Sequence, residues 1–158
     1  MPRLPIDYEQ ALIYRIVCRD VSVTQQYVGS TTNLKNRRSC HKKSCTNPKS
    51  KKYNRFVYRF IRDNGGFDNW EIVLIEKVVN CSDSPTLHKR ERYWIEKLHA
   101  DLNTKIPTRT SKEWRDENKG LIFEINKKYR ELNQDKIIKY NEKRRELYAM
   151  KKLTRAST

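Results

Sequence analysis

The chain has 158 residues and a formal net charge of +16, with 35 Lys and Arg against 19 Asp and Glu. This excess of positive charge favours a polyanionic partner, most often a nucleic acid. The length suits one domain with an additional arm and argues against a two-domain enzyme. Residues 1–10 lack the apolar core of a signal peptide, and no stretch is apolar enough to span a membrane. We therefore expect a soluble, intracellular protein in the cytoplasm or nucleus, without a membrane partner.

The cysteine pattern indicates free thiols. The four cysteines form no Cys-x-x-Cys pair. A reducing compartment keeps such residues as thiols, which favours this state over a zinc site or a disulfide framework.

Two segments of different composition divide the chain. Leu, Ile, Val and Phe are denser in residues 1–104 than in residues 105–158. Only the first segment has enough of them to form a core. The segment 104–111, with Pro107 among Thr and Ser, is the expected hinge between this domain and a basic tail.

Two strands and a helix begin the predicted domain. Residues 11–18 and 26–30 are rich in branched and aromatic side chains, and the polar segment between them predicts a loose hairpin. Thr31 or Thr32 is the expected N-cap of a helix that runs to about Cys45.

A second helix, a third strand and a third helix complete the predicted domain. The apolar stripe of the second helix consists of Tyr53, Phe56, Val57, Phe60 and Ile61. This helix is expected to stop at the glycines 65–66. Residues 70–79 predict a strand at the centre of the sheet, and Ser84 as N-cap with Pro85 opens a helix through Leu98. The expected fold is α+β, a three-stranded antiparallel sheet flanked by three helices and followed by a basic helical arm.

Glu91 is out of place on the third helix. It lies four residues after Leu87 and three before Trp94, so its carboxylate shares the apolar face. A carboxylate there must be paired, bind a metal or lose several kcal/mol to desolvation. Pairing with Lys89 or Arg90, or a solvated rim position, is the alternative to a functional role.

Arg37 and His41 are four residues apart on the first helix, which places a guanidinium beside an imidazole. The pair suits phosphate chemistry, because Arg binds phosphoryl oxygens in bidentate fashion and His transfers protons near neutral pH. The alternative is a solvated basic face with Arg38, Lys42 and Lys43.

Tyr14 and Tyr27 lie in the two hairpin strands and can face each other. Gly29 follows directly and allows close approach of the backbone. Core tyrosines are common in strands, so a structural role is the alternative.

The order and spacing of these residues resemble the GIY-YIG nuclease family over residues 10–104. The segments are LIY at 12–14, YVG at 27–29, RERYWI at 90–95 and DLN at 101–103. The stretch from Tyr27 to His41 is most similar to phage intron-encoded homing endonucleases of this family. Leu12 replaces the first glycine of the family motif, and Lys52 stands near a histidine found in some members.

The resemblance implies a divalent-metal-dependent endonuclease that hydrolyses DNA phosphodiester bonds. Glu91 would hold one Mg²⁺ or Mn²⁺, and no small-molecule cofactor is expected. Tyr14 would be the general base, assisted by His41 and Tyr27, and Arg37 would bind the scissile phosphate. The remaining matched positions, expected to support the site structurally, are Gly29 and Asn103.

The remaining basic residues are expected to contact nucleic acid. In the domain these are Lys35, Arg38, Lys42, Lys43, Lys51 and Lys52. In the tail they are Lys127, Lys128, Arg130, Lys143, Arg144 and Arg145. The tail is predicted to be helical over most of 121–152, after a capping box of Thr110 and Glu113.

Alternatives stay open for both parts of the chain. The tail is either a DNA-contacting arm, a self-associating segment or a disordered one. The domain is either the endonuclease described, an inactive nucleic-acid-binding protein on a nuclease fold, or a structure-specific repair-type nuclease. The sequence specifies neither cleavage specificity nor oligomeric state.

Overall fold

The computed structural model describes residues 5–156, with side chains over 5–151. The described chain divides into two compact units, one ending at Thr108 and the other starting at Arg109. This division lies a few residues beyond the predicted boundary at 104. The outermost residues of the two predicted domains, 1–4 and 157–158, lie outside the described residues.

The first unit has the predicted α+β fold, an antiparallel sheet of three strands in the order β2-β1-β3. Its elements are β1 (Leu12–Cys18), β2 (Tyr27–Thr31), α1 (Leu34–Thr46), α2 (Phe56–Asp63), β3 (Trp70–Lys77) and α3 (Ser84–Lys97). Short 3-10 turns span Tyr8–Gln10 and Phe67–Asn69. The second unit is the predicted helical arm, with α4 (Ser111–Glu117), α5 (Lys119–Leu132) and α6 (Gln134–Ala156).

The central strand is β1, so the prediction that residues 70–79 form the centre of the sheet is wrong. β1 pairs with β2 along one side and with β3 along the other. Ile72 of β3 packs against the core on one face of the sheet, and Ile75 packs against the core on the other. The β1–β3 register shifts between Ile13 and Tyr14. Because helices cover both faces, even an edge strand is dense in apolar residues.

Alternate residues of β1 supply two separate cores. The core between the sheet and the helices α1 and α2 includes Tyr14, Ile16, Cys45, Tyr58 and Ile61. The core between the sheet and α3 includes Ala11, Ile13, Val28, Leu87 and Ile95. The sheet is therefore covered on both faces, and polar groups can reach solvent chiefly at its edges and ends.

The N-caps of α1 and α3 differ from those predicted. Asn33, not Thr31 or Thr32, caps α1, and its side-chain oxygen accepts a hydrogen bond of 2.9 Å from the backbone N–H of Asn36. Asp83, not Ser84, caps α3, and its carboxylate accepts a hydrogen bond of 2.8 Å from the backbone N–H of Thr86. At both boundaries several neighbouring residues can cap a helix, and the one with extended backbone beside the first turn does so.

Helix α2 begins at Phe56, later than its apolar stripe suggested. Tyr53 instead lies in the preceding turn, with the Arg62 guanidinium 3.7 Å from its ring centroid. This cation–π contact stabilises the Tyr53 ring in the turn, so the ring is packed although its residue is not part of the helix. The predicted stop is confirmed, since Gly65 and Gly66 follow the helix with φ of 88° and 75°.

The arm has the predicted capping box, in which Thr110 and Glu113 bond reciprocally at the start of α4. The helix predicted over most of 121–152 is present as α5 and α6, with an interruption at Asn133.

No helix within residues 5–156 is long and apolar enough to cross a membrane.

Gly29 lies opposite Tyr14 in the β1–β2 ladder and has no room for a side chain. A Cβ at this position would lie 2.5 Å from Tyr14 Oη and 2.7 Å from its Cζ. The tyrosine hydroxyl would then have to move away from its present partner.

We expect Gly29→Ala to lower the free energy of unfolding by about 1–3 kcal/mol, the usual cost of overpacking. Urea denaturation measures it. Gly120→Ala is the control, because a Cβ on this glycine of α5 meets nothing within 4 Å. The control should be neutral or slightly stabilising, and equal stability of the two variants would contradict the prediction.

Candidate active site

A buried polar cluster lies between β1, β2 and α1. Tyr14 of β1 and His41 of α1 are joined by a hydrogen bond of 2.8 Å between Tyr14 Oη and His41 Nε2. The Tyr27 ring of β2 lies 6.5 Å from the Tyr14 ring and 5.7 Å from the His41 ring, measured between centroids. The two tyrosines and the histidine singled out in the sequence thus lie together.

Burial makes the cluster hard to charge. It raises the pKa of Tyr14 far above its usual value, with the Tyr27 charge adding to the rise and Arg37 opposing it. Burial likewise raises the pKa of Tyr27 to about 12. Burial, followed by the positive charges of Arg37 and Lys52, lowers the pKa of His41 to about 4. All three side chains are therefore uncharged at neutral pH.

Glu91 of α3 accepts a hydrogen bond from the Ser30 hydroxyl of β2. Burial raises the pKa of the Glu91 carboxyl, while Ser30, His88 and Arg37 oppose that rise. The alternative of pairing with Arg90 is wrong, because Arg90 Nε donates to Glu76 at 2.7 Å. The Glu91 carboxylate is therefore held by a neutral hydroxyl and keeps further acceptor sites.

Arg37 reaches the same strand residue from α1. Its Nη2 donates to the backbone carbonyl of Ser30 at 2.9 Å. Ser30 thus contacts the guanidinium through its main chain and the Glu91 carboxylate through its side chain. The candidate phosphate ligand and the candidate metal ligand are positioned by one residue.

A cleft of about 700 Å³ opens at this end of the sheet. Tyr27 and Glu91 line it, and so do the basic side chains of Arg55, His88 and Lys105. Tyr14 is fully buried and does not line it. The cleft therefore presents two tyrosines, Tyr27 and Tyr58, one carboxylate and the positive side chains of Arg55 and Lys105 to an incoming ligand.

Asn103 lies where the domain chain passes the edge of β2. Its Oδ1 accepts the Val28 N–H at 2.8 Å, and its Nδ2 donates to the Val28 carbonyl at 2.8 Å. Two backbone groups of an edge strand are thereby satisfied by one side chain. Asn103 also lines the cleft, so it links the strand edge to the site.

The basic residues predicted to contact nucleic acid are exposed in the structure. On and after α1 these are Lys35, Arg38, Lys42, Lys43, Lys51 and Lys52. Lys42 also bonds to exposed Asp68 at 3.0 Å. The tail residues Lys127, Lys128, Arg130, Lys143, Arg144 and Arg145 are exposed on α5 and α6.

Several residues at the site were missed by sequence reasoning. Ser30, Tyr58, Arg55 and Lys105 all lie at the cluster or the cleft. Ser30 could have been found from the alternation of β2, which places it on the face opposite Tyr27 and Gly29, where α3 packs. The others carry no signal in spacing, because separate segments bring them together.

His41 gives a testable pH dependence of stability. Its pKa falls from 6.5 in the unfolded chain to about 4 in the folded one. The unfolded state therefore binds more protons between these values, so the contribution is present above pH 6.5 and lost as pH falls through 4. Its size is on the order of 3 kcal/mol.

Urea unfolding of His41→Gln should accordingly depend less on pH between 6.5 and 4 than that of the wild type. His99→Gln, which removes an exposed histidine, is the control and should keep the wild-type slope. The raised pKa of Glu91 acts in the opposite direction but is common to all three proteins. An unchanged slope in His41→Gln would exclude the burial of a neutral imidazole.

Comparison with known proteins identifies the domain. The family model of the GIY-YIG catalytic domain matches residues 10–106. No curated protein and no solved structure matches the chain. The match covers more than half of the sequence, including every residue of the cluster and both residues that contact Ser30. The chain therefore belongs to the GIY-YIG family, and its first unit is a nuclease domain that acts on nucleic acid phosphodiester bonds.

Proposed function

We propose that the protein is a divalent-metal-dependent DNA endonuclease. The observation that carries this proposal is the placement of Glu91 and Arg37 on either side of Ser30, beside the tyrosines and His41. Phosphodiester hydrolysis needs a metal ligand, a cation for the phosphoryl oxygens and an acceptor for the proton of water. Each of these three requirements has a candidate side chain at one end of the sheet.

Glu91 is the candidate ligand for Mg²⁺ or Mn²⁺. Its carboxylate lines the cleft, and residues 5–151 contain no cluster of three or more His, Cys, Asp or Glu that could hold a metal. One carboxylate, with waters and a phosphate oxygen, suits an octahedral Mg²⁺. A bound ion would polarise the scissile phosphate and stabilise the leaving oxygen.

Arg37 would bind the scissile phosphate. Its Nη2 is held by the Ser30 carbonyl, and a guanidinium has further N–H groups for nonbridging oxygens. Because its geometry is fixed before the substrate arrives, its charge stabilises the negative charge that develops on the phosphoryl group without reorganisation.

We place the general base at Tyr27 in preference to Tyr14, the base expected from the sequence. Tyr27 lines the cleft, whereas Tyr14 is fully buried behind it. Burial also raises the pKa of Tyr27 less than that of Tyr14. In hydrolysis, Tyr27 would first lose its own proton to solvent through the cleft; the water oxygen then attacks phosphorus while one water proton passes to the Tyr27 phenolate, and the bond to the leaving oxygen breaks as that oxygen takes a proton from solvent.

Plasmid nicking in the presence of Mg²⁺ or Mn²⁺ tests these roles. We expect Glu91→Gln, Arg37→Ala and Tyr27→Phe each to lower kcat by about 10²–10⁴-fold while DNA binding persists. Arg59→Ala is the control, since it removes an exposed arginine of α2 that has no proposed role, and it should cut at nearly the wild-type rate.

The same experiment distinguishes the alternatives. Binding without metal-dependent cleavage of duplex, single-stranded and branched DNA by the wild type would replace the endonuclease proposal with that of an inactive binding protein. Cleavage confined to branched DNA would instead favour the structure-specific, repair-type nuclease.

The second unit is proposed to be a DNA-contacting arm. Its exposed basic residues on α5 and α6 can pair with backbone phosphates. Such contacts release counterions, so their loss changes the salt dependence of affinity.

A triple variant of the arm tests this role. We expect Lys143→Gln, Arg144→Gln and Arg145→Gln together to weaken DNA binding and to reduce the slope of log K against log salt by up to about 3. The control removes the same charge elsewhere, at Arg19, Lys77 and Lys89. An equal effect of both triple variants would show that only net charge matters and that the arm makes no local contact.

A further inference from the structure

Phe56 is an exposed aromatic side chain that the proposed mechanism does not use. It is the first residue of α2 and lines the cleft that also holds Glu91. Of the other rings that line this cleft, Tyr27 is half-buried and Tyr58 is buried, whereas Phe56 is 42% exposed. A phenyl ring stabilises a fold through the apolar area that it buries, and much of this ring is left uncovered beside the carboxylate.

The Phe56 ring is held in place from one side. Its centroid lies 6.2 Å from that of Phe60, one turn later on α2, and Phe60 in turn packs edge to face against Trp70 at 6.0 Å. Trp70 is buried, and its indole N–H donates to the Asn64 carbonyl at 3.0 Å. The exposed ring is therefore backed by a fixed row of aromatic side chains and loses little further freedom when a ligand covers it.

Apolar and positive groups lie next to each other around this ring. Arg55 directly precedes Phe56 and lines the cleft, as does Lys105 near the end of the domain. Both basic side chains are exposed. Beside Lys105 the cleft is lined by Ile106 and Pro107, which are half-buried. The cleft therefore combines apolar surface, which suits a flat ring system, with cations, which suit phosphates.

A nucleobase with its flanking phosphates fits this combination. Bases of any sequence stack on exposed aromatic side chains, while lysine and arginine pair with the backbone. The cleft volume of about 700 Å³ lies within the range of roughly 300–1,000 Å³ that is usual for sites of small organic ligands. A base inside a duplex is covered on both faces by its neighbours, so only an unstacked base can offer a face to Phe56.

The relative free energies of stacking and of base opening decide the pairing state of that base. Taking a base out of a duplex costs about as much as one stacking contact on an aromatic ring returns, or more. A single exposed ring therefore favours a base that is already unpaired before the nucleic acid binds.

We propose that Phe56 is a stacking platform for an unpaired nucleobase beside the scissile phosphate, so that the preferred substrates are single strands and duplexes with an unpaired nucleotide. As a statement about substrates, the inference rests on the proposed nuclease function. The preference in binding does not, because it can be measured without cleavage.

Binding of the full chain to two single strands isolates the contact with the base. One is fluorescein-labelled oligothymidylate, and the other is a strand of equal length whose central nucleotides are abasic, so both carry the same phosphates. Fluorescence anisotropy in EDTA, which prevents metal-dependent cleavage, gives the two Kd values. We expect the wild type to bind oligothymidylate about tenfold more tightly, and Phe56→Ala to reduce this ratio to below about twofold.

Matched variants control for other causes of a change in binding. Tyr93→Ala removes a ring of nearly the same exposure, 43%, from a part of α3 that does not line the cleft, and it should keep the tenfold ratio. Arg55→Gln removes a phosphate contact and should weaken binding of both strands by the same factor. If Phe56→Ala does not fold, Phe56→Leu keeps an apolar side chain against Phe60 and should still lose the preference.

Two duplexes test the pairing state. The full chain is compared on a fully paired duplex and on the same duplex with one unpaired adenosine. We expect the wild type to bind the second duplex about tenfold more tightly and, with Mg²⁺, to cleave it with the higher kcat/KM. Phe56→Ala should bind the two duplexes alike.

Equal binding of oligothymidylate and the abasic strand by the wild type would overturn the proposal, and so would a preference that Phe56→Ala retains. Equal binding of the two duplexes by the wild type would overturn the preference for unpaired nucleotides. If the wild type shows both binding preferences but does not cut DNA, the nuclease proposal fails, whereas the role of Phe56 in binding a base stands.

Discussion

Tyr14 can lie against β2 only because Gly29, its partner in the ladder, has no side chain. In this position its hydroxyl reaches His41 on α1 at 2.8 Å. The contact fixes the distance between the sheet and α1, and Arg37 of the same helix then reaches the Ser30 carbonyl. One close approach of a ring to a backbone therefore sets the geometry of the whole site.

The site consists largely of buried polar side chains, and burying such groups lowers the stability of the fold unless they are hydrogen-bonded. Tyr14, His41 and Tyr58 are all in the core, where unpaired hydroxyls and imidazoles cost about 1–3 kcal/mol each. Each is instead paired with another member of the cluster. The same exclusion of water that makes pairing necessary strengthens every interaction of a charge brought into the cleft.

Local signals in the sequence were sufficient for some features and not for others. The glycine stop of α2 and the Thr110–Glu113 capping box depend on a few neighbouring residues, and both were predicted correctly. The prediction that β3 is the central strand was wrong, because a high density of apolar residues indicates that both faces of a strand are covered and does not indicate how many strands it pairs with. Nothing in the sequence indicated the contact of Tyr58 with His41, since that contact depends on the packing of α2 against α1.

Ser30 fixes the positions of the two charged side chains of the site independently of the surrounding surface loops. Its carbonyl and hydroxyl set the spacing of Arg37 and Glu91 from within a strand, not from a loop. Strand geometry changes little when loops or appended segments change in length or sequence. A scaffold of this kind can acquire new target preferences through its periphery while the distance between its cation and its carboxylate is inherited unchanged.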